Sequence, residues 1–284
     1  MKQGKEWSKK GKEKKKFQNY LGGILCLGLL FFLAQGMLFL DGTFLKMSED
    51  FQKTSPVWNK DMVKEEVQAD SGEEEKQEVK KVAYLTFDDG PSILTPQYLE
   101  ILREEEVCAT FFLIGQQVEG EMVDVVKQAI DEGHEIGMHT YCHEAEKIYA
   151  SSESYCMDLE KTKQCMKEKL KIEPKIFRFP WGSKNSYVQG YKNDVIDRMK
   201  EEGIDYVDWN VSGEDSVGCP SPDSILSNIR KDYKKYNDPV ILLHDSATCK
   251  STLYALRGVI RELKADGYSF GTLSGRETPC HFGE

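Results

Sequence analysis

From residue 81 onward, short runs rich in β-branched and aromatic residues alternate with longer stretches whose apolar positions recur at helical spacing. The β-type runs cover 82–87, 108–114, 134–138, 175–179, 206–211, 240–243 and 268–272. Helices are expected near 96–105, 118–132, 153–170, 190–202, 222–236 and 251–265. Gly133, Gly203 and Gly267 stand just past three of these helices, where a residue able to adopt positive φ ends a helix. Strands that alternate with helices pair in parallel and are covered by those helices. Seven such strands form an open sheet or a barrel. In a parallel barrel, functional side chains gather at the C-terminal strand ends, so the chemistry is expected there.

Before residue 81 the pattern differs. Residues 21–40, LGGILCLGLLFFLAQGMLFL, contain no charge, and about 20 apolar residues suffice to cross a bilayer as a helix. Residues 1–20 carry eight Lys and two Glu, so this end is expected to stay cytoplasmic. Residues 41–80 carry eleven acidic residues and six Lys with little apolar periodicity, and read as a polar stalk. The expected organisation is a basic cytoplasmic segment (1–20), a single-pass membrane anchor (21–40), an acidic stalk (41–80), an extracellular main domain (81–275) and a tail (276–284). A cleaved signal peptide, with Ala34-Gln35-Gly36 as the cleavage site, is the alternative; the apolar run continues past that point.

Net charge is −10, and the acidic balance of the main domain argues against a nucleic-acid partner. Seven of the eight cysteines follow the apolar run and none form a CxxC pair, so a cysteine-based zinc site is not expected. Cys219 and Cys249 each follow a predicted strand on the same side of the sheet, which makes them candidates to pair.

The strand ends carry the reactive residues. The first run leads into Thr86-Phe87-Asp88-Asp89-Gly90-Pro91. Adjacent carboxylates are costly unless compensated, and a metal on one with a base role for the other would compensate them; Asp, Gly and Pro equally favour a plain turn. The third run leads into His139-Thr140-Tyr141-Cys142-His143, whose i, i+4 histidines would share one face of a helical turn and suit a single metal. Cys142, between them, would point elsewhere. The fourth run ends in Arg178-Phe179-Pro180-Trp181-Gly182, where Arg178 can hold a carboxylate by paired hydrogen bonds or serve a structural ion pair. The sixth ends in Leu242-Leu243-His244-Asp245, which places His244 on the same rim.

Taken together, TFDDGP, HxxxH, RFPWG and LLHD, in that order, resemble the polysaccharide deacetylase family (the NodB-homology domain, carbohydrate esterase family 4) over about residues 80–275. The segment GHEIGMHTYCHEAEKIYAS is similar to that of bacterial wall deacetylases. The resemblance implies a distorted (β/α) barrel of about seven parallel strands. It implies a metal site of Asp89, His139 and His143, usually zinc, with cobalt as an alternative. It further implies Asp88 as general base, Arg178 as the residue orienting it, and His244 as general acid. Leu242 would line the pocket for the acetyl methyl, and the backbone N–H of Trp181 would help hold the oxyanion. The Trp181 ring can also wall a sugar-binding site. The family usually places an Asp shortly after the fifth-strand Trp as partner to the catalytic His. Aligning on Trp209 puts Ser212 there, which leaves Asp215, Asp245 or no carboxylate beside His244.

The expected activity is removal of N-acetyl groups from a cell-wall glycan, peptidoglycan first and an exopolysaccharide or chitin-like oligomer second. A non-catalytic glycan-binding protein on the same fold and a small-molecule amidohydrolase or O-esterase are the competing readings.

Overall fold

In the first strand, β1 (Val82–Gly90), side chains alternate between two environments as far as Phe87. Ala83, Leu85 and Phe87 face one cluster of apolar residues, shared with the helices; Tyr84 belongs to a second, smaller one with Phe112, Val207, Val240, Leu273 and Cys280. By the same period of two, Thr86 and Asp88 follow Tyr84 on the inner face. The other strands are β2 (Thr110–Leu113), β3 (Glu135–Met138), β4 (Ile176–Phe177), β5 (Asp205–Tyr206), β6 (Val211–Ser212), β7 (Val240–His244) and β8 (Ser269–Phe270). On β7, Ile241 and Leu243 join the outer cluster and Val240 the inner one, so Leu242 and His244 fall on the inner face. The structure is a computed structural model that describes residues 80–248 and 250–283.

The strands pair in the order β5-β4-β3-β2-β1-β7-β6, with β8 beside the start of β1, and every pairing is parallel. This bears out the alternating α/β reading and agrees with a (β/α) barrel. One expected strand is corrected. The run 206–211 is not continuous: β5 pairs with β4 at one sheet edge and β6 pairs with β7 at the other. Only residues 207–210 separate them, so the two edges approach each other and the sheet curls almost into a closed barrel. The backbone of 207–210 crosses the gap and cannot pair on both sides as a strand does. Arg178 fills part of that deficit. Its Nε donates to the Val207 carbonyl and its Nη2 to the Asp208 carbonyl, both at 2.9 Å.

The helices are α1 (Thr95–Glu104), α2 (Met122–Asp131), α3 (Ala145–Ile148), α4 (Ser152–Leu170), α5 (Lys192–Glu201), α6 (Pro222–Asp232) and α7 (Ser251–Ala265). Five lie within a few residues of their expected spans and α7 coincides with its own; α3 was not anticipated. On α7, Leu253, Leu256, Val259, Ile260 and Leu263 recur at i, i+3 and i+4 spacing and are buried. The Ser151 and Ser221 side chains accept the Ser154 and Ser224 N–H groups and cap α4 and α6. Gly133, Gly203 and Gly267 follow helix ends with φ of 85°, 70° and 85°, as their positions predicted.

Among the described residues, no helix is long and apolar enough to cross a membrane. The basic segment, the anchor expected at 21–40 and the stalk, apart from Lys80, lie outside the described residues, as does Cys249 of the candidate cysteine pair.

Gly137 on β3 shows how tightly the barrel interior is filled. A Cβ there would come within 2.6 Å of two Phe112 ring carbons and 3.2 Å of Ile176 Cγ1. The Phe112 ring in turn supports the Arg178 guanidinium at 4.2 Å. Gly137→Ala is therefore expected to destabilise the protein by about 1–3 kcal/mol, the usual cost of overpacking a core. A lowered urea midpoint at unchanged slope is the expected measurement; an unmoved midpoint would show that Phe112 has room to shift.

Candidate active site

The strand register brings the reactive residues together. Asp88 is the register partner of His244 across β1 and β7, so the two lie side by side on adjacent strands at one level. Asp88 and His139 are buried, and Arg178 is wholly excluded from solvent. A buried guanidinium is tolerable only when it is paired and its N–H groups are satisfied. Arg178 is paired and each of its three nitrogens has a partner: Nη1 donates to Asp88 Oδ1 at 2.9 Å and to Thr86 Oγ1 at 2.7 Å, besides the two carbonyl bonds of Nε and Nη2 across the barrel gap. Burial by itself would push the Asp88 carboxyl up. The charges of Arg178, His139 and His244, together with the Arg178 hydrogen bond, outweigh it and hold that carboxyl below its ordinary value. Asp88 is therefore an anchored carboxylate with Oδ2 left facing the cleft, 3.8 Å from His139 Nε2.

Asp89, His139 and His143 form a second group. Asp89 Oδ1 lies 3.5 Å from His139 Nε2 and 3.4 Å from His143 Nε2, and the three ligand atoms all fall within 4.8 Å of one another. A tetrahedral zinc ion with bonds of about 2.0–2.1 Å would hold its ligand atoms about 3.3 Å apart, so this donor set fits one such ion. His139 Nδ1 sits 3.0 Å from the Arg178 carbonyl; donating its proton there leaves the Nε2 lone pair aimed at the cluster. Burial lowers the His139 pKa to about 4, helped by the charges of His143 and Arg178 and opposed by Asp88 and Asp89. Its ring is therefore neutral near pH 7, as a ligand must be. Cys142 is not part of this group, as expected.

The histidines converge by a route that differs from the helical turn expected at 139–143. These residues are not helical; α3 begins only at Ala145. Thr140 and His143 adopt φ of 66° and 55°, and the Thr140 hydroxyl accepts the His143 N–H at 3.2 Å. This local side-chain bond supports a tight bend in place of a helical turn. Asp89 and Trp181 also have positive φ, 71° and 61°. Non-glycine residues avoid that region unless their surroundings impose it; these four positions follow or close β1, β3 and β4 where the site is built, while Glu106, Lys171, Glu214 and Cys219 adopt positive φ elsewhere.

His244 has a carboxylate partner. Its Nδ1 lies 2.8 Å from Asp215 Oδ1, and its backbone N–H donates to Asp215 Oδ2, also at 2.8 Å. The Thr252 hydroxyl completes the hold on Asp215. Asp245 serves elsewhere: it accepts the Ser92 and Thr95 hydroxyls and donates its N–H to the Asp88 carbonyl, clamping the loop after β1. Asp208 accepts from Ser183 and Phe282 and is structural. Of the alternatives open for the partner of His244, the structure selects Asp215. His134 accepts the Ala109 N–H and His281 stacks on Tyr206 at 4.0 Å, both outside the site.

A cleft of about 300 Å³ joins Asp88, Asp89, His139, His143 and His244 with Trp181, Trp209 and Leu242. Leu242 lines its floor, and Trp181 projects from its rim, 53 % exposed. A larger hollow of about 550 Å³ borders the other side of Asp89 and His143. Several supports of this cleft were not foreseen. Phe282, in the tail, packs edge-on against Trp209 at 4.8 Å, and its backbone N–H is tied to Asp208. Asn185 binds the loop after Trp181 to Tyr149, Pro180 and Gly182. These partners are far apart in the chain or lack local periodicity, so no spacing announces them.

A parallel barrel whose strand ends present a His-His-Asp cluster beside an anchored carboxylate and a carboxylate-paired histidine is built for hydrolysis. Residues 75–207 match the polysaccharide deacetylase family model. A peptidoglycan-N-acetylglucosamine deacetylase of Bacillus cereus is 34 % identical over 196 residues, covering 67 % of this chain and 68 % of that protein. A second of that name from the same organism is 37 % identical over 202 residues, covering 68 % and 87 %. The catalytic domain of a peptidoglycan N-acetylglucosamine deacetylase from Eubacterium rectale superposes with a TM-score of 0.66 at 30 % identity, covering 71 % of this chain and 92 % of that one. The chain belongs to the polysaccharide deacetylase family and is an enzyme of that class, a polysaccharide N-deacetylase.

The pairing with Asp215 sets the charge of His244. Burial pulls its pKa down, but the hydrogen bond and charge of Asp215, followed by the charges of Asp88 and Asp89, raise it from 6.5 to about 9. The stabilisation from this raised pKa is full below pH 6.5 and is lost as pH rises through about 9. In metal-free protein, Asp215→Asn is expected to move the His244 titration back toward 6.5, read by NMR of the ring protons. A titration that stays near 9 in that variant would assign the shift to Asp88 and Asp89 instead.

Proposed function

We propose that this enzyme hydrolyses the N-acetyl groups of peptidoglycan amino sugars in a metal-dependent reaction, releasing acetate. The observation that carries the chemistry is the register pair Asp88 and His244, set beside the Asp89, His139 and His143 cluster and each locked by a partner of opposite charge. Amide hydrolysis needs a nucleophilic water, relief of charge on the carbonyl oxygen and a proton for the leaving nitrogen. A divalent cation on Asp89, His139 and His143, zinc in this reading and cobalt as a substitute, supplies Lewis-acid polarisation and lowers the pKa of water.

The chain's own residues do the rest. Asp88 takes a proton from the attacking water through Oδ2, while Arg178 holds Oδ1 and keeps the carboxyl ionised. His244, protonated and fixed by Asp215 at Nδ1, delivers the Nε2 proton to the departing amine. The backbone N–H of Trp181 donates to the developing oxyanion. Leu242 receives the acetyl methyl, and the Trp181 ring packs against the sugar. Support for the substrate comes from the relatives, two of which are named peptidoglycan-N-acetylglucosamine deacetylases. It also comes from the charge-free run 21–40 behind a Lys-rich end, which favours a membrane-anchored enzyme whose domain works outside the cell on polymer close to the membrane.

The test is acetate release from purified peptidoglycan and from N-acetylated chitooligosaccharide, with zinc or cobalt against a chelator. Metal-dependent release, faster from peptidoglycan, is expected; release indifferent to chelation would sink the mechanism. Asp88→Asn is expected to lower turnover by about 10²–10⁴-fold, the usual worth of a general base, while the protein still binds stoichiometric metal. His139→Ala is expected to lose both metal, measured by elemental analysis, and activity. Stoichiometric zinc in that variant would overturn the ligand assignment.

A further inference from the structure

Tyr187 is a large aromatic side chain that the fold holds out to solvent, 58 % exposed. Its ring lies flat on Tyr149, with centroids 5.6 Å apart and an interplanar angle of 7°. Tyr149 stacks in turn on Tyr155 at 5.4 Å and 22°, and Tyr155 is fully buried. A column of three rings thus runs from the core to the surface. Tyr149 packs parallel to Tyr187 and Trp181 lies tilted beside it, and these contacts leave more than half of the Tyr187 side chain open to solvent. The backbone is secured as well. Asn185 Oδ1 accepts the Tyr187 and Val188 N–H groups, and its amide donates to Tyr149 Oη and to the Pro180 and Gly182 carbonyls. A rigid aromatic presented this way loses little conformational entropy on binding.

Tyr187 adjoins the cleft. Its centroid lies 5.9 Å from that of Trp181, which lies 5.1 Å from the ring of His143. A polymer whose reacting sugar sits at the His-His-Asp cluster must carry its neighbouring units along one of the walls, and the Trp181 side leads to the exposed ring of Tyr187. The apolar C–H face of a pyranose suits such a ring. We infer that Tyr187, held by Tyr149 and Asn185, is a stacking platform for a second sugar of the bound glycan, beside the one that is deacetylated. This rests on the polysaccharide reading above and adds to it a binding subsite that favours longer chains.

The test compares kcat/KM on penta-N-acetylchitopentaose with that on N,N′-diacetylchitobiose in the metal-loaded full chain. Removing an aromatic contact worth about 1 kcal/mol changes affinity about fivefold. Tyr187→Ala is therefore expected to reduce the preference for the pentamer by about five- to tenfold, through KM. Tyr187→Phe, which keeps the ring, is expected to retain it. An unchanged preference in Tyr187→Ala, or equal losses on both substrates, would overturn the platform; equal losses would make Tyr187 a support of the loop alone. Calorimetric binding of the pentamer to Asp88→Asn, with and without Tyr187→Ala, needs no turnover. If no glycan is deacetylated but binding still weakens about fivefold, the catalytic reading falls and the platform stands. Pentamer binding that is absent, or indifferent to Tyr187, removes the platform.

Discussion

The guanidinium of Arg178 is the point on which fold and site both depend. It is wholly buried at the mouth of an almost closed barrel, and its four hydrogen bonds reach two stretches of chain: β1 through Thr86 and Asp88, and the crossing segment through the carbonyls of Val207 and Asp208. Its carbonyl also positions His139. A charge in such a place is stabilising only while every partner is present, and breaking a buried pair of this kind costs about 3–5 kcal/mol. The same contacts that let the sheet curl without stranding backbone polar groups keep Asp88 ionised and aimed at the cleft.

The arrangement separates the charged groups by role. Asp88 and His244 are strand neighbours, yet one is tuned to remain a carboxylate and the other to remain protonated. Each has its own counter-charge, Arg178 for the first and Asp215 for the second, held on different elements. The Asp-His-His cluster lies beside them, with a buried neutral imidazole as its innermost member. The apolar and aromatic residues then form a graded wall. Leu242 is buried at the base, Trp181 stands at the rim, and Tyr187 lies further out on a column of rings. Recognition of an extended polymer follows naturally from a site whose aromatic surface continues beyond the reacting atoms.

Much of this was legible beforehand, and the particular residues show why. Alternation of β-type and helical runs located the strands and all the longer helices, since packing against a parallel sheet demands that periodicity. Placing functional residues at strand ends then selected Asp88, Asp89, His139, Arg178 and His244. The expectation of a helical turn at 139–143 failed because a hydroxyl at Thr140 and two positive-φ residues make a bend that brings the histidines equally close. The continuous strand at 206–211 failed because period and composition do not register that a segment changes partners midway. The partner of His244 stayed open among three choices, since Asp215 reaches it across 29 positions and no local pattern encodes that contact.

Sequence alone thus determined the family, the parallel α/β class and which side chains gather in the cleft, because those rest on local order: which residue types end which strands, and with what parity. Alternation along β1 and β7 already commits Thr86, Asp88, Leu242 and His244 to one face, whatever the rest of the chain does. Only the tertiary structure decided which carboxylate serves His244, how the barrel gap is bridged, and that Phe282, Asn185 and Tyr149 support the walls of the cleft. Those outcomes depend on long-range contacts whose free energy exists only once the sheet has curled and water has left its interior.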